Sequence, residues 1–578
     1  MARRNHYSSV DIETGNSFPF DALHALCADC RLSLKAPASY QEVDAYSETS
    51  ALLSITDEGV HDNAVFAARR YAICKSFSKY IPTDMDLRPL EARTIQKWTD
   101  CERSCLMTDD RLYDDYPIVS GFMERVLTRA QSICAYVLKD DPYTPGLLSR
   151  WARFGPGATI GNTRQYSDIA SKHRRFPYSV TERCIDVGAY YVSTDMRWMS
   201  CLATCDPTLF LEGSMDGELV DLAKPFFMKV SGNRVVLVPK NRKILRPIAV
   251  EPTINQYVQL GVDGYIRRRL RRLGIDLNDQ TLNQRLACLG SLNGSFDTLD
   301  LESASDTISI SAVRILFPSV WVKFLCDIRS PSGMLDTKEH VYAKLSSMGN
   351  GSTFVVESLI FASLARAVMY EMGCVNQPWH VYGDDIVVPS SCSLAIKHVL
   401  EYMGFIVNNE KSLCGNIPVR ESCGTDWYRG NDIRPPFVKA APSTLPELFH
   451  TYNQWYLWYA KWGPKADFAS THLGTYLRKF VPRGFRYIEG PVWDNTRTHL
   501  FTQRPSRTHM ILKEVPRLRP QPDFHFGRLA NRLKPRKLQP WDLDISDPND
   551  PYDIPYKTDI MTDVVRRYDV EECSVNEY

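Results

Sequence analysis

The 578-residue chain has no excess of charge, no internal repeat, no low-complexity tract and no apolar run long enough to cross a bilayer. Lysine and arginine total 69 against 68 aspartates and glutamates, a net charge of +1, so the protein does not coat nucleic acid by charge alone. The strongest apolar stretch, Phe354 to Val368, is interrupted by Glu357 and Arg366 and falls short of the roughly 20 residues a membrane helix needs. No transmembrane helix is expected. Nothing apolar follows Met1 to Tyr7, so no secretory signal is read and an intracellular setting is expected. Sixteen scattered cysteines are too few for a disulfide scaffold in a chain of this length. His24, Cys27 and Cys30 have the spacing of half a zinc site, but no second cysteine pair completes it.

What is present is ordinary globular composition, 44% hydrophobic and 24% charged, in a chain long enough for about three to five units. Arg234 to Pro239 is rich in β-formers and predicts a strand that leads into a basic run. Asn255 to Leu273 has helical spacing, closes at Gly274 and ends in an arginine cluster from Arg267 to Arg272. The pattern from Ser352 to Met372 predicts a helix ended by Gly373. Tyr452, Trp455, Tyr456, Tyr459 and Trp462 fall on one helical face, a stripe that favours packing over base stacking. Residues 501 to 540 carry ten basic and two acidic side chains, a net of +8, and residues 541 to 578 reverse this to −8. That tail is either a nucleic-acid surface followed by an acidic partner-facing or masking segment, or a solvated surface whose halves attract.

Chemistry is concentrated in carboxylates. His380 to Pro389 places a Gly383-Asp384-Asp385 core between apolar β-formers, which predicts a strand, a tight turn and a returning strand. Adjacent aspartates at a turn can approach one site, where a divalent cation would relieve their repulsion; the alternative is a hairpin turn with solvated acids. Asp300 ends a second apolar segment, Phe296 to Leu301, where an unpaired carboxylate is costly. Oxygen-rich clusters of this kind suit Mg²⁺ and substrate phosphates, and two ions about 4 Å apart would serve in-line phosphoryl transfer. Lys240, Arg242, Lys243 and Arg246 place four cations in seven residues, suited to a triphosphate or an RNA backbone. Ser346 to Thr353 is a glycine-rich loop, with Gly349 and Asn350 at its centre, whose amides and following helix start can receive a nucleotide or a template strand.

The order of these elements resembles motifs F, A, B, C and D of viral RNA-dependent RNA polymerases: basic run, Asp300 with Asp306, glycine loop and helix, Tyr382-Gly383-Asp384-Asp385, then Lys411. Gly274 to Gln280, Ser303-Ala304-Ser305-Asp306, Ser347 to Gly351 and Arg420-Glu421-Ser422-Cys423-Gly424 resemble the replicase β subunit of leviviruses, the small RNA bacteriophages. The likeness is dense from about 231 to 439, thin before 150 and nearly absent after 440. It implies an α+β right-hand polymerase with fingers, an antiparallel palm sheet and a thumb. Residues 1–150 would form an N-terminal region bridging fingers and thumb, 151–290 the fingers with the basic run, 291–430 the palm with 307–345 lent to the fingers, and 431–578 the thumb and charged tail.

By the same resemblance, Asp300, Asp384 and Asp385 are the metal-binding catalytic aspartates, for two Mg²⁺ ions or Mn²⁺ in their place. Asp306 reads the ribose 2′-hydroxyl; Lys240, Arg242, Lys243, Arg246, Gly349 and Asn350 contact the nucleotide; Lys411 protonates pyrophosphate. Two positions depart from the wider pattern: Glu357, where many viral polymerases place Asn, and Glu302 beside Asp300, expected to face away from the metals. The implied partners are RNA template and product, ribonucleoside triphosphates, host elongation factors Tu and Ts and a host ribosomal protein, with no membrane, in the cytoplasm of an infected bacterium. A reverse transcriptase shares the paired-aspartate turn, but Asp306 argues against it. A non-catalytic RNA-binding or assembly protein on a decayed polymerase fold is disfavoured by the intact aspartates.

Overall fold

The helix after the glycine loop runs from Thr353 to Glu371 and is the axis of the larger hydrophobic core. It is long and apolar enough to cross a membrane, with a mean hydropathy of 1.4, but 83% of that window is buried inside the protein. Its cover comes from helices Gly121–Val137, Ser390–Tyr402 and Thr253–Leu270. The computed structural model describes residues 12–30, 37–46, 63–114, 121–163, 167–205, 219–503, 508–519 and 557–568. Within them the protein is a mixed α+β fold.

Helix Thr253–Leu270 tightens to a 3₁₀ turn over Arg271–Leu273 and stops at Gly274, which takes the left-handed conformation at φ +82°. The arginines at its end serve the fold. Arg267 pairs with Asp263 at 2.9 Å, Arg271 with Asp276 at 3.1 Å, and the buried Arg269 donates to the carbonyls of Val137 and Tyr136.

The central sheet has three antiparallel strands in the order Phe296–Leu299, Asp385–Pro389, His380–Tyr382, with Leu299 opposite Ile386 and Tyr382 opposite Asp385. The first strand breaks at Asp300, and Leu301–Glu302 pairs instead with Ile406–Val407. A second sheet orders Leu245–Val250, Asn233–Pro239, Ser332–Leu335 and Lys338–Val341. Helix Arg88–Asp114 lies against its first strand and against the 3₁₀ turn Ala304–Thr307.

The core divides differently from the chain-order boundaries read from sequence. One core gathers apolar residues from Leu112 to Val407; another joins Ile12 to Tyr80 with Leu413 to Leu512. The reason is helix Leu445–Trp462, whose stripe Tyr452, Trp455, Tyr456, Tyr459 and Trp462 is buried on every member and needs cover from both flanks. The N-terminal helices Phe18–Cys30 and Ala64–Lys75 help provide it, and Asp29 accepts the Tyr459 hydroxyl at 2.6 Å. The stripe is packing, as its spacing suggested. Of the charged tail, Thr508–Arg519 and Lys557–Tyr568 pair as antiparallel strands whose register sets Lys513 opposite Asp563 and Arg517 opposite Asp559. Most of the remaining tail lies outside the described residues.

Two charged groups are enclosed beneath the central sheet. Arg420, fully buried, donates to the carbonyls of Phe296, Ile417, Val419 and Gly415 and to Asp297 Oδ1, tying strand Val419–Ser422 to the strand that leads to Asp300. Asp297 is also buried and accepts the hydroxyls of Ser390 and Ser393, each at 2.6 Å. Removing one member of such a pair strands the other, so Arg420→Met should cost about 3–5 kcal/mol in urea unfolding. A loss below about 1 kcal/mol, the scale of an exposed pair, would show that the guanidinium does not brace the sheet.

Asp426 stands opposite Glu421 on the next strand and 3.5 Å from Arg434. Burial first, then Glu421, pushes its carboxyl up to about 7 against the pull of Arg434. A folded pKa above the unfolded one means that folding takes up a proton, so stability contributed at low pH is lost as pH rises through about 7. Asp426→Asn should therefore raise the melting temperature more at about pH 8 than at about pH 5. Equal gains at both would place the titration elsewhere.

Candidate active site

Asp300 occupies the break between two strands. Its N–H donates to Ser412 Oγ at 3.1 Å, its carbonyl accepts the Asn408 N–H at 2.9 Å, and Asn408 Nδ2 donates to its Oδ2 at 3.1 Å. Lys411 Nζ stands 3.3 Å from that same oxygen. The turn carrying Asp384 is fixed from behind by helix Thr353–Glu371: Gly383 donates its N–H to Ser358 Oγ at 3.0 Å, and its φ is +62°. A Cβ at Gly383 would lie 2.6 Å from the Phe354 ring, so glycine is required for both conformation and space. Asp385 accepts the Cys423 N–H at 3.2 Å and the Ser422 hydroxyl at 3.3 Å. Asn283 donates to the Asp385 carbonyl at 3.0 Å and to Ser422 Oγ at 3.1 Å.

These carboxylates feel one another. Asp385 is pushed up to about 6, by burial first, with repulsion from Asp384 and Asp300 added and the Cys423 N–H opposing. Asp384 is open to solvent, yet enough protein surrounds it that burial and the Asp300 charge hold it above the usual carboxylate range. Lys240 and Lys411 pull it back. Burial works against the Lys411 ammonium, but Asp300, Glu421 and Asp384 outweigh it and raise its pKa. Lys240 is lowered, by burial and then by repulsion from Lys411 and Arg246. Lys240, Lys411 and the three aspartates thus share one field.

The basic run does not act as a unit. Asn241 Oδ1 accepts the N–H groups of Lys243 and Ile244 at 2.8 and 3.0 Å, making a turn between two strands. Lys240, at one end, lies in the aspartates' field, and Arg246, at the other, is exposed and near enough to repel Lys240. Arg242 is buried within the turn, donating to the carbonyls of Phe77 and Tyr80 and pairing with Asp44 at 2.7 Å; Lys243 reaches the Asp44 carbonyl. The Arg242 guanidinium is thereby committed to the N-terminal segment, while Lys243 stays exposed beside it.

The glycine loop is also more committed than its composition suggested. Gly349, at φ +113°, presses on strand Leu245–Val250, where a Cβ would meet the Ala249 carbonyl at 2.2 Å. Asn350 Oδ1 accepts the Ser352 N–H and hydroxyl, both at 2.8 Å, and the Gly351 N–H goes to Gln259 at 2.9 Å. Asn350 and Thr353 donate their N–H groups to Ser347 and Asn350 carbonyls. The N–H groups of Asn350, Gly351, Ser352 and Thr353 thus have partners within the protein, while the N-cap Ser352 gives the helix no side-chain cap.

Asp306 is buried in its 3₁₀ turn and pairs through Oδ1 with Lys344 at 2.8 Å. Glu357, on the inner face of the long helix, is held well above the carboxylate range by burial and then by the charges of Asp384 and Asp306. Glu302 is ion-paired with Lys97 at 2.9 Å. Sequence reading missed Lys344, Asn408 and Asn283. Only Lys344 left a signal, as a lone cation just before the serine and glycine loop.

Among the described residues no three His, Cys, Asp or Glu side chains gather closely enough to hold an ion unaided, and His24, Cys27 and Cys30 form no such set. Mg²⁺ does not require one, since it takes one or two carboxylates and fills its shell with water and phosphate. The hard oxygens of Asp300, Asp384 and Asp385 and their unrelieved repulsion fit that ion.

The profile of the RNA replicase β-chain family matches residues 46–491. The chain belongs to that family. It is 38% identical over 420 residues to the RNA-directed RNA polymerase subunit beta of Escherichia virus Qbeta, covering 72% of this chain and 66% of that one. Against the same subunit of Enterobacteria phage SP it is 36% identical over 444 residues, 74% of this chain and 72% of that one. The matched stretch is thus just under two thirds of the Qbeta subunit's length. A crystal structure of a human picorbirnavirus RNA-dependent RNA polymerase overlays 34% of this chain and 45% of that one, at 13% identity and a TM-score of 0.27.

The division within the basic run of this replicase β chain predicts a split in behaviour. Arg246→Met should raise the nucleotide KM about tenfold, as loss of a charge-assisted contact does, with little change in melting temperature. Arg242→Met should lower the melting temperature and leave KM nearly unchanged. Identical profiles would refute the division.

Proposed function

We propose that this protein copies RNA at the edge of the central sheet by two-metal nucleotidyl transfer, with Asp300, Asp384 and Asp385 as the metal ligands. The protein is an RNA-directed RNA polymerase, by its membership of the replicase β-chain family. The observation that carries the assignment of the site is the shared field of the three aspartates with Lys240 and Lys411.

In this reading the central sheet is the palm, the sheet carrying Lys240 and Arg246 belongs to the fingers, and the helices from Leu445 onward form the thumb, joined by the chain's first 80 residues. Mg²⁺, or Mn²⁺ in its place, supplies when bound the charge that activates the attacking 3′-hydroxyl and neutralises the phosphoryl oxygens. Asn408, Ser422 and Cys423 hold the carboxylates of Asp300 and Asp385, and Ser412 and Ser358 hold the backbone at Asp300 and Gly383. Lys240 and Arg246 receive the triphosphate of the incoming nucleotide. Lys411, kept charged by Asp300, gives a proton to the departing pyrophosphate. Asp306 accepts a hydrogen bond from the ribose 2′-hydroxyl, the group that distinguishes RNA precursors from DNA precursors. The chain works within an infected bacterium on an RNA template, and host elongation factors Tu and Ts and a ribosomal protein are its proposed companions.

Asp384→Asn and Asp300→Asn should each abolish nucleotide incorporation with Mg²⁺ while leaving the melting temperature and RNA affinity close to wild type, because an amide is a poor Mg²⁺ ligand. Near-normal incorporation by either variant in a template-extension assay would remove that residue from the site.

A further inference from the structure

Lys344 is a fully buried cation that the chemistry above does not use. Its side chain has no exposure, and its ammonium lies 2.8 Å from Asp306 Oδ1 and 3.0 Å from Glu102 Oε1. The rings of Trp98 and Tyr342 flank it at 4.8 and 4.7 Å. Glu102 in turn accepts the backbone N–H groups of Ala343 and Lys344 through Oε2, at 2.8 and 3.2 Å, so helix Arg88–Asp114 grips the segment that carries the lysine. Asp306 Oδ2 makes no hydrogen bond with any described residue. A carboxylate whose one oxygen is anchored by a buried cation can rotate little, and its other oxygen is presented in a fixed direction.

We propose that Lys344 is a positioning residue for sugar selection: it anchors Asp306 so that Oδ2 meets the 2′-hydroxyl of a ribonucleotide. The inference rests on the reading of Asp306 as the ribose contact. A site that aims a fixed acceptor at a hydroxyl rejects the analogue lacking it, because the acceptor is then left desolvated and unpaired. Without the anchor the carboxylate is free to turn or to take up a proton, and the penalty on a deoxynucleotide falls. Glu102 offers a control. Glu102→Gln perturbs the same buried cluster but leaves the Lys344 pairing with Asp306, so a structural defect alone would follow it equally.

The test uses the full-length chain in its assembled replicase, comparing kcat/KM for ribonucleoside and deoxyribonucleoside triphosphates on one RNA template. Lys344→Met should lower the ribo-to-deoxy ratio about tenfold or more, Lys344→Arg should restore part of it, and Glu102→Gln should leave it within about twofold of wild type. Should Lys344→Met not fold because Glu102 is stranded, the double variant Lys344→Met/Glu102→Gln removes both charges and should show the same loss of selectivity. If Asp306→Ala lowers the ratio while the lysine variants do not, the anchoring role is wrong and the ribose reading stands. If Asp306→Ala leaves the ratio unchanged, the ribose reading itself fails. A ratio that falls equally in Glu102→Gln and Lys344→Met would reduce the lysine to a structural part.

Discussion

Like charges held close together are the constraint around which the site is arranged. Asp300, Asp384 and Asp385 repel one another, and burial, with the charges of Asp384 and Asp306, pushes the Glu357 carboxyl well above its ordinary range. Folding has to overcome that repulsion before any substrate arrives, and the surroundings show how. Each aspartate is fastened by a different segment: Asp300 by Asn408 and Ser412, the turn of Asp384 by Ser358 on the long helix, Asp385 by Ser422 and Cys423. Lysines 240 and 411 offset part of the charge without cancelling it. What is left over is attraction for a cation.

The elements that sequence reading located well are those set by local rules. The long helix, the strand from Asn233, the glycine stop at 274 and the aspartate hairpin follow from periodicity, β-propensity and turn chemistry, and each lies within two or three residues of its expected place. Side-chain direction was less legible. Nothing local indicates that a turn at Asn241 separates Lys240, in the aspartates' field, from Arg242, bound to the N-terminal segment, because the partners of Arg242 lie more than 160 residues away. The glycine loop misled for a related reason. Its composition shows that backbone approaches something closely, but not that the something is Ala249.

The roles of Arg420 and Lys344 were not legible for a different reason. Each is a cation fully enclosed by protein, the rarest place for one, and each is stabilised by groups distant in sequence: Phe296 and Asp297 for the first, Glu102 and Asp306 for the second. The motif containing Arg420 was recognised by resemblance alone. Its physical content is two jobs on one strand, bracing the sheet from Arg420 and steadying Asp385 from Ser422.

The shared core of the first 80 residues with those beyond 413 has a consequence for synthesis. Asp29 and Tyr459, joined in that core, are 430 residues apart in the chain. At roughly 5 to 20 residues per second, the ribosome needs about 20 to 90 s to supply the second after the first. Throughout that interval Phe18, Leu23 and Tyr71 emerge without their native cover, since their partners have not yet been translated. The protein's beginning is thus obliged to wait for its end, and a nascent chain in this interval carries apolar surface that favours capture by chaperones or by other nascent copies.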